Sequence, residues 1–335
     1  MYNSKITGLG FYVPENVVTN HDLSKFMDTN DEWIQERTGI KERRWIKEGS
    51  GDSTSVMGAK AARTALERSG LKKEEIDFIV FATLSPDMYF PGGGVEVQEL
   101  LGMDTIGALD VRNQCSGFVY AMSVADQFIK TGMYKNILVI GSENHSGGLD
   151  KTTRGRNVSV IFGDGAGAVV LSRTEDSNKG ILSTHLHSEG KHAKELVLEG
   201  PSTARWVPEI LANNDPNDVS YYPYMNGQFV FKHAVTRFSE AIIEGLEKNN
   251  LEASDIDLLV PHQANLRIAQ FIQRKFKLND DQVYNNIMNY GNTTAASVVI
   301  ALSEAWGKDR IKDGDLVVLA AFGSGFTWGS VFIRW

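Results

Sequence analysis

The chain has 335 residues, 42% of them hydrophobic and 23% charged, with a formal net charge of −8 and a pI near 5.5. That length accommodates two packed domains of about 150 residues each, and the acidic balance argues against nucleic acid or an anionic membrane as partner, since both attract clustered Lys and Arg. No basic start leads into an apolar run and no stretch of about 18 apolar residues occurs, so neither a signal peptide nor a spanning helix is predicted and a cytosolic setting is expected.

The first strong pattern is MGAKAARTALERSGLKKEEIDFIV (Met57–Val80), an amphipathic helix, a polar break and a hydrophobic strand introduced by Ile-Asp. In ALDVRNQCSGFVYAMSVADQFIKTG a strand ending near Val111 passes through a short polar turn into a helix. Phe118, Met122, Ala125 and Ile129 share one face of that helix. The turn holds Cys115, the single cysteine of the chain, which excludes an intramolecular disulfide and a cysteine-rich metal site. Two readings of it are open. A lone Cys is commonly a small buried hydrophobe; at a helix start, however, unpaired N–H groups and the helix dipole favour a thiolate, which makes a nucleophile.

FIKTGMYKNILVIGSE (Phe128–Glu143) reads as a helix end, a Gly turn and a strand buried on both faces. FGDGAGA (Phe162–Ala168) lacks the Lys-Ser/Thr ending of a phosphate loop and precedes a strand, so it reads as close backbone packing. The polar, turn-rich Arg173–Lys179 places a boundary near residue 175, between halves 1–175 and 176–335. Beyond it, His185 and His187 fall on one face of a strand, but with no Cys and no clear carboxylate partner they make a poor metal site. Lys191–Met225, with ANNDPND and Tyr221-Tyr222-Pro223-Tyr224, reads as one long loop of the functional or mobile kind.

HAVTRFSEAIIEGLEKNNLEASDIDLLV (His233–Val260) repeats the helix, break and Ile-Asp strand of the first half. RIKDGDLVVLAAFGSG (Arg310–Gly325) matches Phe128–Glu143, and AFGSGFTWGS (Ala321–Ser330) takes the place of FGDGAGA. Two repeats of about 160 residues predict a duplicated α/β domain rather than a solenoid, with helices covering the sheets. His262, in DLLVPHQANLR, sits where Pro261 ends a strand, a place where sites gather in α/β folds. An isolated His there is more often a satisfied turn residue, and His21, His145, His185, His187, His192 and His233 compete with it. Asn292, in MNYGNTTAASVVIALSEAW, precedes an apolar helix and on its own reads equally as a turn former and cap.

Together these segments resemble the ketoacyl-ACP synthase III family of the thiolase superfamily over essentially the whole chain. The most specific are TNDEWIQERTGIKER (Thr29–Arg43), the Cys115 segment, IFGDGAGAVVL (Ile161–Leu171), VPHQANLRI (Val260–Ile268), GNTTAAS from Gly291 and FGSGFTWGS (Phe322–Ser330). The resemblance implies an α/β, five-layered αβαβα thiolase-like fold of two duplicated halves, a homodimer, and a site between the halves. It puts the nucleophile at Cys115 and the other catalytic positions at His262 and Asn292. Thiolases use two cysteines, elongating ketoacyl synthases pair Cys with two His, and HMG-CoA synthase-like enzymes need a Glu near the nucleophile that is not evident in the corresponding segment.

The chemistry implied is decarboxylating condensation of an acyl-CoA primer with malonyl-acyl carrier protein through acyl-Cys115, the initiating step of type II fatty acid synthesis. The alternative is a specialised enzyme of secondary metabolism using a larger acyl group. The backbone N–H groups of Cys115 and Ser324 would form the oxyanion hole, Ser324 standing where some members have glycine. Trp33, Arg37 and Arg154 would lie near the coenzyme A nucleotide and Asn265 near the pantetheine arm. Lys232, Arg267, Arg274 and Lys275 would dock carrier protein or coenzyme A phosphates, and Phe90 would reach the partner subunit's acyl pocket. No metal and no cofactor beyond acyl-CoA as substrate are expected.

Overall fold

The computed structural model describes residues 2–213, 215 and 218–335. The first half supplies β1 (Asn3–Tyr12), α1 (Asp31–Thr38), α2 (Thr54–Ser69), β2 (Phe78–Ala82), β3 (Gly107–Val111), α3 (Gly117–Lys130), β4 (Asn136–Glu143) and β5 (Gly165–Thr174). The second half supplies β6 (Gly180–Ser188), β7 (Leu196–Val197), β8 (Tyr224–Met225), α4 (Gly227–Asn249), β9 (Leu258–Pro261), α5 (Leu266–Phe276), α6 (Ala296–Gly307), β10 (Leu316–Gly323) and β11 (Thr327–Arg334).

The repeated sequence patterns become repeated topology. One sheet runs β1-β5-β4-β2-β3 and the other β6-β11-β10-β9. β2 is parallel to β4 as β9 is to β10, and the two strands that follow pair antiparallel in both sheets. The counterpart of β3 is reduced to a single bridge, Leu259 with Val283. α2 packs on the outer face of the first sheet and α4 on that of the second, while α3 and α6 fill the space between. The five-layered αβαβα arrangement expected from the sequence is borne out.

Local chemistry explains each layer. β4 and β10 are buried along their whole length, as strands covered on both faces must be. α6 lies between two apolar sheets and is buried almost all round, so its sequence is apolar almost all round. α2 and α4 bury one face each and are bounded by the same devices: Ser53 and Asn226 cap their N-termini, and Gly70 and Asn250 turn left-handed at their ends. The glycine-rich run does serve close packing, since a Cβ on Gly167 would lie 2.4 Å from Cγ1 of Val299 in α6.

Two sequence readings need correction. Lys191–Met225 is not one open loop. It begins with a 3-10 turn at Gly190–Glu195 and its base is closed by β7 and β8, paired Val197 to Tyr224 and Leu196 to Met225. It also contains a short helix, Val207–Ala212. Elements this brief show no periodicity, and a pairing between distant residues has no local signal. Residues 214, 216 and 217 of this stretch lie outside the described residues. His185 and His187 do have a carboxylate partner: Glu244 of α4 accepts from both, at 3.2 Å from His185 Nδ1 and 2.5 Å from His187 Nε2. Their face of β6 is thus satisfied by a helix that only the tertiary fold brings over it.

Candidate active site

β3 ends at Val111, and a 3-10 turn at Gln114–Ser116 leads directly into α3. Gln114 takes a left-handed φ of 43°, which tightens the turn and presents Cys115 at the head of the helix. Ser116 fixes the turn from below, bonded to the Thr327 hydroxyl at 2.8 Å and to the carbonyl of Asn113. The opposing strand comes so close that a Cβ on Gly323 would sit 2.7 Å from Cβ of Cys115. Glycine is what lets the two halves meet there.

The thiol is buried, which pushes its pKa up to about 12, and the nearby Glu143 carboxylate adds to the rise. Hydrogen bonds from the backbone N–H of Cys115, the Thr294 hydroxyl and the backbone N–H of Ser324 act in the opposite direction. Glu143, at the end of β4, is itself wholly buried and pushed up to about 7 by that burial. It accepts from Ser85 Oγ at 2.6 Å, Thr83 Oγ1 at 3.1 Å and the N–H groups of Leu84, Ser85 and Ala295. The missing glutamate near the nucleophile is therefore present in space, but it clamps three segments together behind the site.

His262 follows β9, and its backbone N–H donates to Ala320 of β10 at 2.8 Å. Its Nδ1 lies 2.6 Å from Ser297 Oγ, while its buried Nε2 has no protein partner. Ser297 Oγ also accepts from the N–H of Gln263, so the hydroxyl proton is free to go to Nδ1 and the ring proton then resides on Nε2. Burial holds the imidazole down at about 3, hence neutral at physiological pH. Asn292, just before α6, is treated alike. Its Oδ1 accepts from the N–H of Thr294 at 2.8 Å, which leaves the amide NH₂ as its outward group.

Cys115, His262 and Asn292 all line one cavity of about 150 Å³, walled by Leu196, Met225, Phe231, Phe238, Ile268 and Asn265. A second cavity of about 280 Å³ also reaches Cys115, lined by Leu84, Arg112, His145, Leu149, Val197, Leu198, Thr294 and Ser324. A thiol reached from two cavities, with two neutral N–H donors lining one of them, can take up an acyl group and have the oxyanion that forms next to it stabilised.

The remaining expected residues fall in several places. Asn265 caps α5 and donates to the carbonyl of Arg37 at 2.8 Å, tying the cavity wall to α1. Arg37 stacks over Trp33 at 4.6 Å. The second cation over that ring is Arg156, at 5.3 Å. Arg154, expected near the nucleotide with Trp33 and Arg37, bonds Asp150 at 2.6 Å and lies over Tyr222. Lys232 on α4 and Arg267, Arg274 and Lys275 on α5 are exposed. Phe90 is 82% exposed and lines neither cavity of its own chain. Ser324 turns its hydroxyl to the carbonyl of Leu196 and its N–H toward the sulfur. Sequence reasoning missed Glu143, His145, Arg156, Thr294 and Ser297 as parts of the site, although Thr294 and Ser297 stand in the GNTTAAS run.

For metals, Glu189, His192 and His233 each offer a ligand atom within 4.8 Å of the others. Lys191 and Arg237 bond the Glu189 carboxylate at 2.6 and 2.7 Å, and these cations weaken it as a ligand for a divalent ion.

Comparison with known proteins gives this geometry its place. The family described as 3-oxoacyl-[acyl-carrier-protein (ACP)] synthase III matches residues 109–190, and its C-terminal counterpart matches residues 246–335. The beta-ketoacyl-[acyl-carrier-protein] synthase III of Rhodospirillum centenum is 46% identical over 99% of both chains. The chain belongs to the 3-oxoacyl-[acyl-carrier-protein] synthase III family. The like-named protein of Caldanaerobacter subterraneus is 46% identical over 98% of this chain and 97% of its own. The crystal structure of the Aquifex aeolicus 3-oxoacyl-[acyl-carrier-protein] synthase III superposes with a TM-score of 0.90 at 42% identity, covering 99% of this chain and 100% of that one. The likeness spans both halves, so both sides of the cavity in this synthase III family member belong to the shared fold.

Proposed function

We propose that the chain catalyses the initiating condensation of type II fatty acid synthesis, joining an acyl-CoA primer to malonyl-acyl carrier protein with release of CoA and CO₂. The observation that supports this best is the convergence of Cys115, the unpartnered Nε2 of His262 and the outward amide of Asn292 on one cavity. Cys115 attacks the acyl thioester, and the CoA sulfur departs with the proton the thiol gave up, leaving acyl-Cys115. Malonyl thioester next enters the same cavity and loses CO₂, and charge collects on its thioester oxygen. His262 Nε2–H and Asn292 Nδ2–H donate to that oxygen; preorganised donors of this kind are worth about 3–4 kcal/mol each. The enolate carbon attacks the acyl-Cys carbonyl, whose oxyanion rests on the N–H groups of Cys115 and Ser324. Collapse releases 3-oxoacyl product and the thiolate. No step requires a resident cofactor or metal.

Trp33, Arg37 and Arg156 are suited to a nucleotide at the cavity mouth, an adenine having a face for the ring and phosphates for the guanidiniums. Arg267, Arg274 and Lys275 share a side of α5 with the exposed Phe271, and Lys232 lies on the adjoining α4. Such a cationic face with an apolar centre suits an acidic carrier protein. β3 lies at the edge of its sheet with Leu109 exposed, and Met88, Tyr89 and Phe90 form an apolar projection nearby. An uncovered edge and apolar tip fit a homodimer in which Phe90 enters the partner subunit's second cavity. The halves 1–175 and 176–335 are read as the duplicated domains that build the site between them. Among the described residues no helix is long and apolar enough to cross a membrane, and we place the enzyme in the cytoplasm, where acyl-CoA is at hand. No observation favours the larger-acyl alternative.

The test is release of labelled CO₂ from malonyl-acyl carrier protein with a panel of acyl-CoA primers, beside the Cys115→Ala and His262→Ala variants. Priming by short acyl-CoA with a 3-oxoacyl product is expected. Acylation of Cys115 without CO₂ release, or activity with long primers alone, would overturn the reading.

A further inference from the structure

His145 is a buried imidazole beside the reactive thiol that the mechanism above leaves unused. It follows β4, its ring lies against Phe162 with centroids 4.6 Å apart, and its backbone N–H is fixed on Asp164 Oδ1 at 2.7 Å. Its Nε2 is 2.7 Å from the hydroxyl of Thr294. Thr294 holds a left-handed φ of 50°, an unfavourable conformation for a β-branched residue. That conformation lets its N–H serve Asn292 while its hydroxyl stands on the Cys115 side of the shared cavity, where it acts to lower the thiol's pKa. The three side chains, Cys115, Thr294 and His145, line one cavity wall.

We propose that His145 is a positioning residue which, by donating Nε2–H to the Thr294 hydroxyl, aims that hydroxyl's proton at Cys115 and favours the thiolate. This rests on the reading of Cys115 as the nucleophile. A hydroxyl has one proton, and to give it to sulfur it must be held in place by a donor on its oxygen. His145 supplies that donor without needing charge, since burial keeps its imidazole neutral, at about 3. Hydrogen bonds in such a chain polarise one another, and in a buried site they are stronger than in water. The thiol needs this help because burial and Glu143 both oppose its ionisation. The other titratable or charged groups around the chain are Asp164 beneath the His145 backbone, Arg112 on the shared cavity and His262 across the thiol.

The experiment is the rate of alkylation of Cys115 by iodoacetamide against pH, in the wild type and in His145→Phe, His145→Gln, Thr294→Val and the double variant His145→Phe/Thr294→Val. His145→Phe keeps a ring on Phe162, Thr294→Val keeps the backbone N–H on Asn292, and Gln retains a donor. The pH midpoint is expected to rise by about one unit in His145→Phe and in Thr294→Val, a tenfold loss of thiolate well below it. The double variant should shift no further, because both changes cut one chain, and His145→Gln should recover most of the loss. An unmoved midpoint in His145→Phe, an additive double variant, or a Gln variant as impaired as Phe would overturn the proposal. Failure of wild-type Cys115 to react at all would instead sink the nucleophile reading itself.

Discussion

Two buried histidines line the two cavities that share Cys115, and they differ in which ring nitrogen the fold satisfies. His145 and His262 are both held neutral by burial, at about 3. In His145 the Nε2 is taken up by Thr294; in His262 the Nδ1 is taken up by Ser297 and the Nε2 is left with no protein partner. A buried polar atom without a partner costs free energy unless something arrives to satisfy it. The residue that acts on substrate is thus the one the fold leaves incomplete, and its neighbours fix which proton it offers.

The largest effect should come from removing that incomplete atom. His262→Ala is expected to lower condensation by about 10²–10³-fold, the cost of losing one oxyanion donor, while transfer of the acyl group from acyl-CoA to Cys115 persists. Mass spectrometry of the acyl-enzyme and the CO₂ assay separate the two steps. Equal loss of both would mean that His262 also serves the thiol, and the division between the histidines would fail. Ser297→Ala probes the same atom less directly. It leaves the Nδ1 free to hold the ring proton, and a drop in kcat of about tenfold with little change in KM is expected, the cost of one lost hydrogen bond. Ser297→Thr, which keeps the hydroxyl, should restore it.

How much of this was legible beforehand follows from the kind of signal each residue gives. Cys115, His262 and Asn292 stand at junctions of strand, turn and helix that periodicity reveals, and the duplicated helix and strand pattern foretold the repeated α/β layers. Glu143 ends and His145 follows the same buried strand, yet nothing local marks them, because their meaning comes from Thr294 and from Ser85, Thr83 and Ala295, which are distant in sequence. The stacking of Arg156 on Trp33 was equally hidden, since the two residues are far apart in sequence and only the fold brings them together. The β7–β8 closure was invisible for a related reason, as two-residue strands have no pattern to read.

Stability against pH should carry the signature of both histidines together. Each has a folded value near 3 against 6.5 unfolded, so the unfolded chain binds more protons as pH falls below 6.5 and stability is lost in that direction. Glu143 works the other way, with a folded value near 7 against 4.5: its contribution is present below 4.5 and is eroded as pH rises toward 7. Between 4.5 and 6.5 the histidines outnumber it, and their net effect is that stability rises with pH. His145→Phe should flatten that rise by up to one proton, about 1.4 kcal/mol per pH unit, and Glu143→Gln should steepen it. Urea unfolding at a series of pH values measures both slopes. An unchanged slope in His145→Phe would mean that its imidazole takes up protons in the folded chain, and the two histidines would no longer be alike in charge.

The smallest effect concerns the surface that serves the incomplete atom from outside. Replacing Arg274 and Lys275 with Glu reverses two exposed charges on α5, and exposed charges exchange only about 0.2–1 kcal/mol each with a partner. KM for malonyl-acyl carrier protein should rise a few-fold to about tenfold, with kcat and the KM for acyl-CoA unchanged. Because such charges are screened within about 10 Å at 0.1 M salt, the difference from wild type should shrink as salt is raised. A kcat effect that resists salt would place these residues in the reaction rather than in docking. It would also show that the cavity's chemistry extends beyond the donors that His262 and Asn292 present.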